Sequence, residues 1–391
     1  MKILLVYDCV YPESLGGVEY RNYCLAQALA ERGHAVTVAG WMSGPKTLKD
    51  GVSALPMAFR AATHDGTGKR STVASLKFTA AAARLDVGAY DVIETANIPY
   101  IHILPLAVRC ALAGKPFVVT WHEHFGPYWR RYEGPLFAFA YQALEWLCAQ
   151  IGRINAPSPL TAERLRRARL RGDAAAIPVI PCGVWLRDIQ KALHSPAPDA
   201  PPLLYAGRLI PEKRVDLLLQ AVAMMKLSSP RSNGCLLGVV GDGPDRGRLE
   251  ALATALGIVP QVKFYGRLPD IADMWRLLAG ARIAVQPSAR EGFGLFPLEA
   301  IALGRPVVTC DAPDNAVGAI VRHDIEGLCS AAEPEALAAT LANLLDDEGL
   351  WRRMSEAAQL RAAMYDWPAV AERFEAFFAK SSPARPSSAT S

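Results

Sequence analysis

The sequence lacks any hydrophobic run long enough to cross a membrane, and none of its eight cysteines stands in a Cys-x-x-Cys pair. The first absence excludes a simple membrane-spanning helix, which takes about 20 consecutive apolar residues. The second disfavours the redox and zinc motifs that depend on paired thiols. Because most of the cysteines have apolar neighbours, we expect buried free thiols and a reducing compartment.

A large excess of one charge sign is missing as well. The 391 residues include 42 Lys and Arg against 38 Asp and Glu, a formal net charge of +4. That excess is too small to indicate a nucleic-acid partner, although it allows weak attraction to an anionic membrane surface. The apolar run at Ile3–Tyr7 is too short for a signal peptide and predicts a first strand. Together these features predict a cytoplasmic protein.

The residues that are present predict two α/β domains. Apolar runs alternate with helical patterns in both halves of the chain, which is typical of doubly wound sheets. We expect domains at 1–190 and 203–364, separated by a proline-rich linker at 191–202. A helix at 365–380 is predicted to pack back on the first domain. The Ser/Pro/Ala-rich tail at 381–391 is predicted to be disordered.

Glycines follow the first predicted strand, but not in the pattern of a dinucleotide-binding fold. The Gly-x-Gly-x-x-Gly fingerprint is missing there, which disfavours NAD binding. Gly16 and Gly17 stand in its place. They either bring backbone N–H groups close to a phosphate or sugar, or form a flexible turn.

The stretch from Gln286 to Val308 predicts a strand, a glycine loop, a short helix starting at about Pro297, and a further strand. Free N–H groups at such a helix start bind anions. Glu291 and Glu299 frame this anion site, which would suit the hydroxyl groups of a sugar joined to a phosphate. The alternative is an ordinary turn with an exposed Glu291 and a Glu299 that favours the helix dipole.

Two cations and a second glycine loop precede that stretch. Arg208 follows a predicted strand and Lys213 enters a helix, so the pair suits a pyrophosphate. Gly241 and Gly243 follow the next strand. No Asp-x-Asp motif stands at a strand end to carry a metal ion, and the two cations could supply that neutralisation. We expect a cleft lined by the carboxyl ends of both sheets.

Trp121-His122-Glu123-His124 ends another predicted strand. The two histidines share a face of an extended segment, but no third metal ligand is evident, so a cleft-lining role is favoured over zinc. The aromatic and basic residues at 128–132 suit a membrane interface. Packing is favoured for the helix that follows, with Leu144, Leu147 and Ile151 facing the core.

Three motifs, in this order, resemble those of glycosyltransferase family 4: Gly207-Arg208-Leu209-x-Pro211-Glu212-Lys213, Gly241-Asp242-Gly243-Pro244 and Glu291-Gly-Phe-Gly-x-x-x-x-Glu299. That family has the GT-B fold, in which two Rossmann-like doubly wound domains face each other across a cleft. The resemblance covers nearly the whole chain. One departure is Cys182, which stands where the family usually has asparagine.

The resemblance implies a retaining, metal-independent, hexosyltransferase-like enzyme of glycan, polysaccharide or glycolipid biosynthesis. Residues 1–190 would be the acceptor-side domain and 203–364 the nucleotide-sugar domain. Arg208 and Lys213 would bind the donor diphosphate and stabilise it as leaving group. Glu291 would hold donor-sugar hydroxyls.

The resemblance also implies the remaining contacts. Glu299 would bind the donor's ribose, and His122 would lie near the donor sugar and the acceptor. The other donor-binding positions are glycines and loop residues of the quoted motifs, together with the first glycine loop: Gly16, Gly17, Gly207, Gly241, Gly243, Phe293, Gly294 and Leu295. No cofactor is implied beyond the nucleotide-diphosphate sugar, which is a substrate.

Several alternatives stay open at this point. The chain could be another GT-B protein, such as a nucleotide-sugar epimerase or a starch-synthase-like elongating enzyme. It could also be a non-catalytic nucleotide-sugar-binding protein. The acceptor could be a sugar, a glycan or a lipid-linked molecule, with or without peripheral contact to the inner face of a membrane.

Overall fold

The computed structural model describes residues 1–14, 16–42, 48, 51–57, 70–169, 177–225 and 236–381. All but the first residue of the tail predicted at 381–391 lies outside these ranges. The chain divides into two compact units. The first is Met1–Pro181 together with the segment that starts at Trp367, and the second is Cys182–Asp366.

The first unit has a six-stranded sheet in the order β3-β2-β1-β4-β5-β6, and every neighbouring pair is parallel. The strands are β1 Lys2–Cys9, β2 Ala35–Trp41, β3 Ser53–Pro56, β4 Val92–Ala96, β5 Phe117–Thr120 and β6 Arg153–Asn155. Its helices are α1 Gly17–Glu31, α2 Thr72–Ala82, α3 Ile103–Leu112, α4 Trp129–Tyr132, α5 Pro135–Ala149, α6 Pro159–Ala168 and α14 Trp367–Ala379. β1, β4 and β5 are buried almost throughout, as their continuous apolar runs predict for a sheet covered on both faces.

The second unit repeats this arrangement with the order β14-β12-β10-β7-β8-β9, again parallel throughout. The strands are β7 Leu203–Ala206, β8 Leu237–Val240, β9 Val262–Gly266, β10 Ile283–Gln286, β12 Val307–Cys310 and β14 Gly327–Ser330, and the short pair β11 Arg290–Glu291 and β13 Asp314–Asn315 forms a sheet of its own. The helices are α7 Leu186–Ile189, α8 Val215–Met224, α9 Arg246–Ala255, α10 Ile271–Gly280, α11 Leu295–Ala302, α12 Pro334–Asp346 and α13 Glu348–Ala362. Two doubly wound α/β units are therefore confirmed.

One strand of the second sheet was not predicted. β14 is only four residues long and carries a glycine and a serine, so its sequence has little strand character. At its start, a Cβ on Gly327 would lie 1.9 Å from the Val307 carbonyl oxygen. The backbones of β12 and β14 approach so closely there that only glycine fits.

The division between the units falls before the proline-rich segment at 191–202. That segment belongs to the second unit, where Ala197 N–H donates to the Arg276 carbonyl at 3.0 Å. Proline breaks helical and strand periodicity, which made the segment resemble a linker, but its backbone is bonded to α10. The later division, at Asp366–Trp367, places α14 in the first unit.

Helix α14 covers a buried charge in the first unit. Arg21, on α1, is almost fully buried and donates to Glu94 Oε1 at 2.9 Å. Phe374 of α14 lies over the Arg21 guanidinium, 4.8 Å from it. Thr120 donates to the same Glu94 oxygen at 2.5 Å, so the pair is bonded on several sides. A buried ion pair needs such additional partners to offset the loss of hydration.

Removing one member of this pair should destabilise the chain strongly. We expect Arg21→Met to lower the free energy of unfolding by about 3–5 kcal/mol, because Glu94 is left as an unpaired buried charge. Arg21→Met combined with Glu94→Leu should be less destabilising than Arg21→Met alone. As a control, Arg276→Gln breaks an exposed ion pair with Asp273 and should cost less than about 1 kcal/mol. Urea unfolding of the four proteins tests this, and equal effects for Arg21 and Arg276 would contradict it.

Candidate active site

The best-defined polar cluster of the second unit lies where its strand order reverses. β7 is followed along the chain by β8 and β9 on one side, whereas β10, β12 and β14 lie on the other. The loops after β7 and β10 therefore diverge at the carboxyl edge of the sheet, the usual ligand position in an open parallel sheet. These two loops are bonded to each other, because Ala289 N–H donates to the Glu212 carbonyl at 2.9 Å.

Lys213 and Glu291 meet at this point. Lys213 Nζ lies 2.5 Å from Glu291 Oε2, and both side chains are partly exposed. The same carboxylate oxygen accepts a hydrogen bond from Gln286 Nε2 at 3.0 Å and a longer one from Ser288 Oγ at 3.4 Å. Gln286 also donates to Ser288 at 2.8 Å. Two buried neutral side chains therefore fix a carboxylate whose charge is matched by a lysine.

Glycines bring the loops after β7 and β8 into backbone contact. A Cβ on Gly241 would lie 2.0 Å from the Gly207 carbonyl oxygen, and one on Gly243 would lie 2.2 Å from the Leu209 carbonyl oxygen. Gly241 also has a φ of +123°, which favours glycine. Arg208 is exposed on the loop that these contacts hold. Its carbonyl accepts from the buried Tyr205 hydroxyl at 3.1 Å.

Helix α11 begins at Leu295, two residues before the predicted start at Pro297. Gly294 precedes it with a φ of +105°. Proline is tolerated as the third helical residue because none of the first N–H groups has a partner within the helix. Glu299 consequently lies beyond the first turn. The Phe293 ring is buried and lies edge-on to Tyr365, so only its backbone is free for a ligand.

Glu299 has a different environment from Glu291. Its side chain is buried, and Trp275 of α10 donates to Glu299 Oε1 from Nε1 at 3.0 Å. Burial raises the pKa of Glu299 to about 7, and the Trp275 hydrogen bond opposes that rise. A carboxyl group poised in this way can accept hydrogen bonds from hydroxyl groups that replace the missing water.

In the first unit the strand order reverses between β1 and β4. Gly16 and Gly17 follow β1 and form the start of α1, with Gly16 in an extended conformation at the N-cap. A Cβ on Gly16 would lie 2.3 Å from Glu19 Oε2. Glu19 folds back over the start of its own helix, and a side chain at position 16 would displace its carboxylate.

His122 follows β5 in the same unit. Its backbone N–H donates to Asn97 Oδ1 at 3.0 Å, and Asn97 Nδ2 donates to the Glu123 carbonyl at 3.0 Å. Burial, with a smaller effect from the Arg21 charge, lowers the pKa of His122 to about 3. The imidazole is therefore neutral at physiological pH. Its Nε2 is buried without a hydrogen-bond partner in the structure.

Glu145 of α5 holds the loop that follows His122. Its carboxylate accepts from the backbone N–H groups of Phe125 and Gly126, each at 2.7 Å. It also accepts from Trp129 Nε1 at 3.0 Å and the Tyr100 hydroxyl at 2.9 Å. The predicted orientation of α5 is wrong in part, because Leu147 is exposed whereas the charged Glu145 faces the core. Four donors make that burial favourable.

The structure thus joins two of the predicted residues, Lys213 and Glu291, in one ion pair. Glu299 is bonded separately to Trp275, and Gly16, Gly17 and His122 belong to the other unit. Within the residues described, no group of three or more His, Cys, Asp or Glu side chains is arranged to hold a metal ion. Sequence reasoning missed the supporting side chains Gln286, Ser288, Trp275, Asn97 and Glu145. Of these, Gln286 and Glu145 carried a signal, since Gln286 ends an apolar strand and Glu145 interrupts an apolar helix.

Two family models match this chain over adjacent segments. The model described as Glycosyltransferase Family 4 matches residues 15–187, and that described as Glycosyl transferases group 1 matches residues 187–361. Together they cover nearly all of the two units. The chain belongs to glycosyltransferase family 4, and the resemblance noted from the three motifs is confirmed.

Curated relatives match over part of their length. A D-inositol 3-phosphate glycosyltransferase of Thermobispora bispora is 36% identical over 193 residues, which are 47% of this chain and 44% of the relative. A glycogen synthase of Mycobacterium tuberculosis is 33% identical over 199 residues, 50% of this chain and 47% of the relative. The matches thus span about half the length of these relatives.

Solved structures match over almost the whole chain. HepE of Anabaena in complex with UDP and glucose has a TM-score of 0.74 at 20% identity, covering 97% of this chain and 100% of that one. Sucrose-phosphate synthase of Thermosynechococcus elongatus has a TM-score of 0.78 at 22% identity, covering 97% and 98%. The predicted GT-B fold, with two Rossmann-like domains, is confirmed.

The raised pKa of Glu299 predicts a pH-dependent stability. Between an unfolded pKa of 4.5 and a folded pKa of about 7, the folded chain keeps a proton that the unfolded chain has lost. The free energy of unfolding therefore falls by about 3 kcal/mol as pH rises through this window, and is constant above it. Glu299→Gln removes this loss, so the variant should be more stable than the parent at about pH 8 and similar to it at about pH 4.5.

Urea unfolding at several pH values measures this difference. The matched control is Glu356→Gln, which changes an exposed glutamate of α13 and should leave the pH profile of stability as in the parent. A Glu299→Gln profile parallel to that of the parent across the window would contradict the buried, protonated state of Glu299.

Proposed function

We propose that this chain transfers a sugar from a nucleotide-diphosphate sugar to an acceptor hydroxyl, with retention of anomeric configuration and without a metal ion. The observation that carries this proposal is the Lys213–Glu291 ion pair at the reversal of strand order in the second sheet. It combines a cation for a phosphate with a carboxylate for hydroxyl groups, which is what a sugar phosphate needs.

The donor diphosphate is assigned to Arg208 and Lys213. In the chain without ligand, Lys213 is neutralised by Glu291. A bound diphosphate offers Lys213 a higher negative charge, and Arg208 can clamp its oxygens from the exposed side of the loop. When the bond to the sugar breaks, negative charge grows on the diphosphate, and these two cations stabilise it in place of a metal ion.

The two glutamates are assigned to different parts of the donor. Gln286 and Ser288 keep Glu291 in place when Lys213 turns to the diphosphate, so its carboxylate can accept from the hydroxyls of the sugar. Glu299 is assigned to the ribose hydroxyls. The backbones of Phe293, Gly294 and Leu295 face the donor at the start of α11, where free N–H groups favour negative charge.

The remaining donor positions are the glycine loops. Gly207, Gly241 and Gly243 have no side chain between the ligand and the backbone of the loops after β7 and β8. Of the first unit, Gly16 and Gly17 are assigned to the diphosphate, and His122 to the donor sugar and the acceptor. The neutral state of His122 suits a hydrogen bond to a hydroxyl group rather than an ion pair.

For the transfer step we propose reaction on the front face of the sugar. The acceptor oxygen bonds to the anomeric carbon on the side that the diphosphate leaves, and the acceptor proton passes to a diphosphate oxygen. Neither Glu291 nor Glu299 is then required as a nucleophile, unlike the carboxylate pair of a retaining glycosidase.

We assign the acceptor to the sugars, glycans or lipid-linked molecules of glycan biosynthesis. We place the protein in the cytoplasm, in peripheral contact with the inner face of the membrane. The buried free cysteines support a reducing compartment.

Donor binding can be tested before the acceptor is known. A thermal-shift panel of nucleoside diphosphates should raise the melting temperature by mass action with at least one base. Lys213→Ala should abolish that shift, because it removes a diphosphate cation, whereas Lys263→Ala should keep it. Lys263 is a suitable control because it is an exposed lysine of β9 in the same unit. A panel without any stabilising diphosphate would overturn the proposed donor site.

Catalysis is tested with the sugar nucleotide that this panel identifies. Removing an interaction made mainly in the transition state costs about 10²–10³-fold in kcat, and we expect this loss for Lys213→Ala and Glu291→Gln. Glu250→Gln, on the exposed face of α9, is the control and should turn over normally.

The stereochemistry and the metal requirement give two further readouts. Proton NMR of the product should show the anomeric configuration of the donor, and EDTA should leave turnover unchanged. A product with inverted anomeric configuration would contradict front-face transfer. Loss of turnover in EDTA would contradict metal independence.

A further inference from the structure

Helix α5 of the first unit buries its charged residue and exposes apolar side chains, the reverse of an ordinary surface helix. Its only charged residue, Glu145, is 1% exposed, whereas its outer face is apolar throughout. Leu136 is 81% and Phe139 80% exposed. Further exposed apolar residues lie beside these two or continue the outer face toward the end of the helix: Phe137, Ala140, Ala143, Trp146 and Leu147. An exposed apolar surface of this extent on a folded protein indicates an interaction site.

The charge around α5 indicates what this surface binds. Residues 129–169 contain seven arginines and three glutamates, a net charge of +4. The rest of the chain has 35 basic and 35 acidic residues, so this segment accounts for the net charge of the whole protein. Arg130 and Arg131 are exposed directly before α5. At its other end α6 contributes the exposed Arg166 and Arg167, and Gln150 joins the two helices by donating to the Ala168 carbonyl.

We propose that the exposed face of α5 docks on an anionic lipid surface. The apolar side chains enter the boundary between head groups and acyl chains, and the arginines at both ends of the helix bind lipid phosphates. α5 is 15 residues long, and no helix among those described is both long and apolar enough to span a membrane. The helix accordingly lies in the plane of the interface.

A second copy of this chain fits the surface less well. In a symmetric contact between two α5 faces, each basic segment would meet its own copy, and like charges oppose association. An anionic membrane neutralises the same charges. The charge distribution therefore favours lipid over self-association.

The inner face of α5 connects this surface to the loop that carries His122. Glu145 binds the backbone of that loop at Phe125 and Gly126, on the opposite side of a helix about 10 Å across. A docked helix would thus hold the loop of the proposed acceptor contact next to the lipid. This last link rests on the proposed function, whereas the docking does not.

Co-sedimentation of the full chain with vesicles tests the docking. One set of vesicles contains equal parts of phosphatidylglycerol and phosphatidylcholine, and the other only phosphatidylcholine. We expect the parent to bind the anionic set and to lose binding at high salt. Leu136→Ser with Phe139→Ser should weaken partitioning about tenfold or more, because two large apolar side chains no longer enter the membrane. Arg130→Gln with Arg131→Gln should weaken it about 30-fold, from two lost charges near the surface.

Matched controls lie on α13 of the second unit. Leu360→Ser changes a leucine that is 81% exposed, and Arg352→Gln with Arg353→Gln removes two exposed arginines. Both controls should bind vesicles like the parent. All changed side chains are exposed, so the variants should keep the parent's unfolding midpoint.

Three results would overturn the docking proposal. One is a parent that stays in the supernatant with anionic vesicles at low salt. Another is that the α13 control variants lose as much binding to anionic vesicles as the α5 variants do. The third is a dimer, seen by sedimentation velocity without lipid, that Leu136→Ser with Phe139→Ser dissociates, because the face would then belong to a second copy. Thermal shifts with nucleoside diphosphates, run on the same proteins, report separately on the proposed function.

Discussion

A buried or partly buried carboxylate needs hydrogen-bond donors in place of water, and the donors to four such carboxylates determine much of this molecule. Glu94 is bonded to Arg21, Glu145 to the backbone of a loop, and Glu291 to Lys213. Among the described residues, Trp275 is the only donor to Glu299, and burial raises the pKa of Glu299. The first two arrangements stabilise the fold and orient a loop. The last two leave charge or hydrogen-bonding capacity that a ligand can use, which is why the proposed donor site is found beside them.

The fold followed from the sequence because its determinants are local. Apolar runs of strand length, alternating with helical periodicity, are sufficient for two parallel sheets, and the glycine loops mark strand ends whose backbones approach closely. Local signals were weaker at β14, which has four residues of little strand propensity. At 191–202 the prolines indicated a break, but the backbone hydrogen bond to α10 that holds this segment comes from residues far away in sequence.

The sequence predicted the charged residues of the site, but not the side chains that hold them in place by hydrogen bonds. Lys213 and Glu291 belong to recognisable motifs, yet their spacing does not tell that they form an ion pair with each other. Trp275 and Asn97 look like ordinary helix and loop residues, and their role depends on contacts across the fold. Glu145 is instructive because it interrupts an apolar helix. Helical periodicity predicted that Leu147 faces the core, but Leu147 is exposed. The Glu145 carboxylate is buried instead, because four donors in the first unit bind it.

The position of α14 has a consequence for the order of events during synthesis. The second unit, Cys182–Asp366, emerges from the ribosome before the helix at Trp367–Ala379 emerges. Until then the first unit lacks the helix that covers Arg21 and contributes Trp367 and Phe374 to its interior. The first unit, whose synthesis starts first, is therefore completed last. Its completion by α14 has to wait until the whole second unit has been translated. A chain released before α14 has emerged would leave Arg21 and the neighbouring interior of the first unit uncovered and accessible to chaperones and proteases.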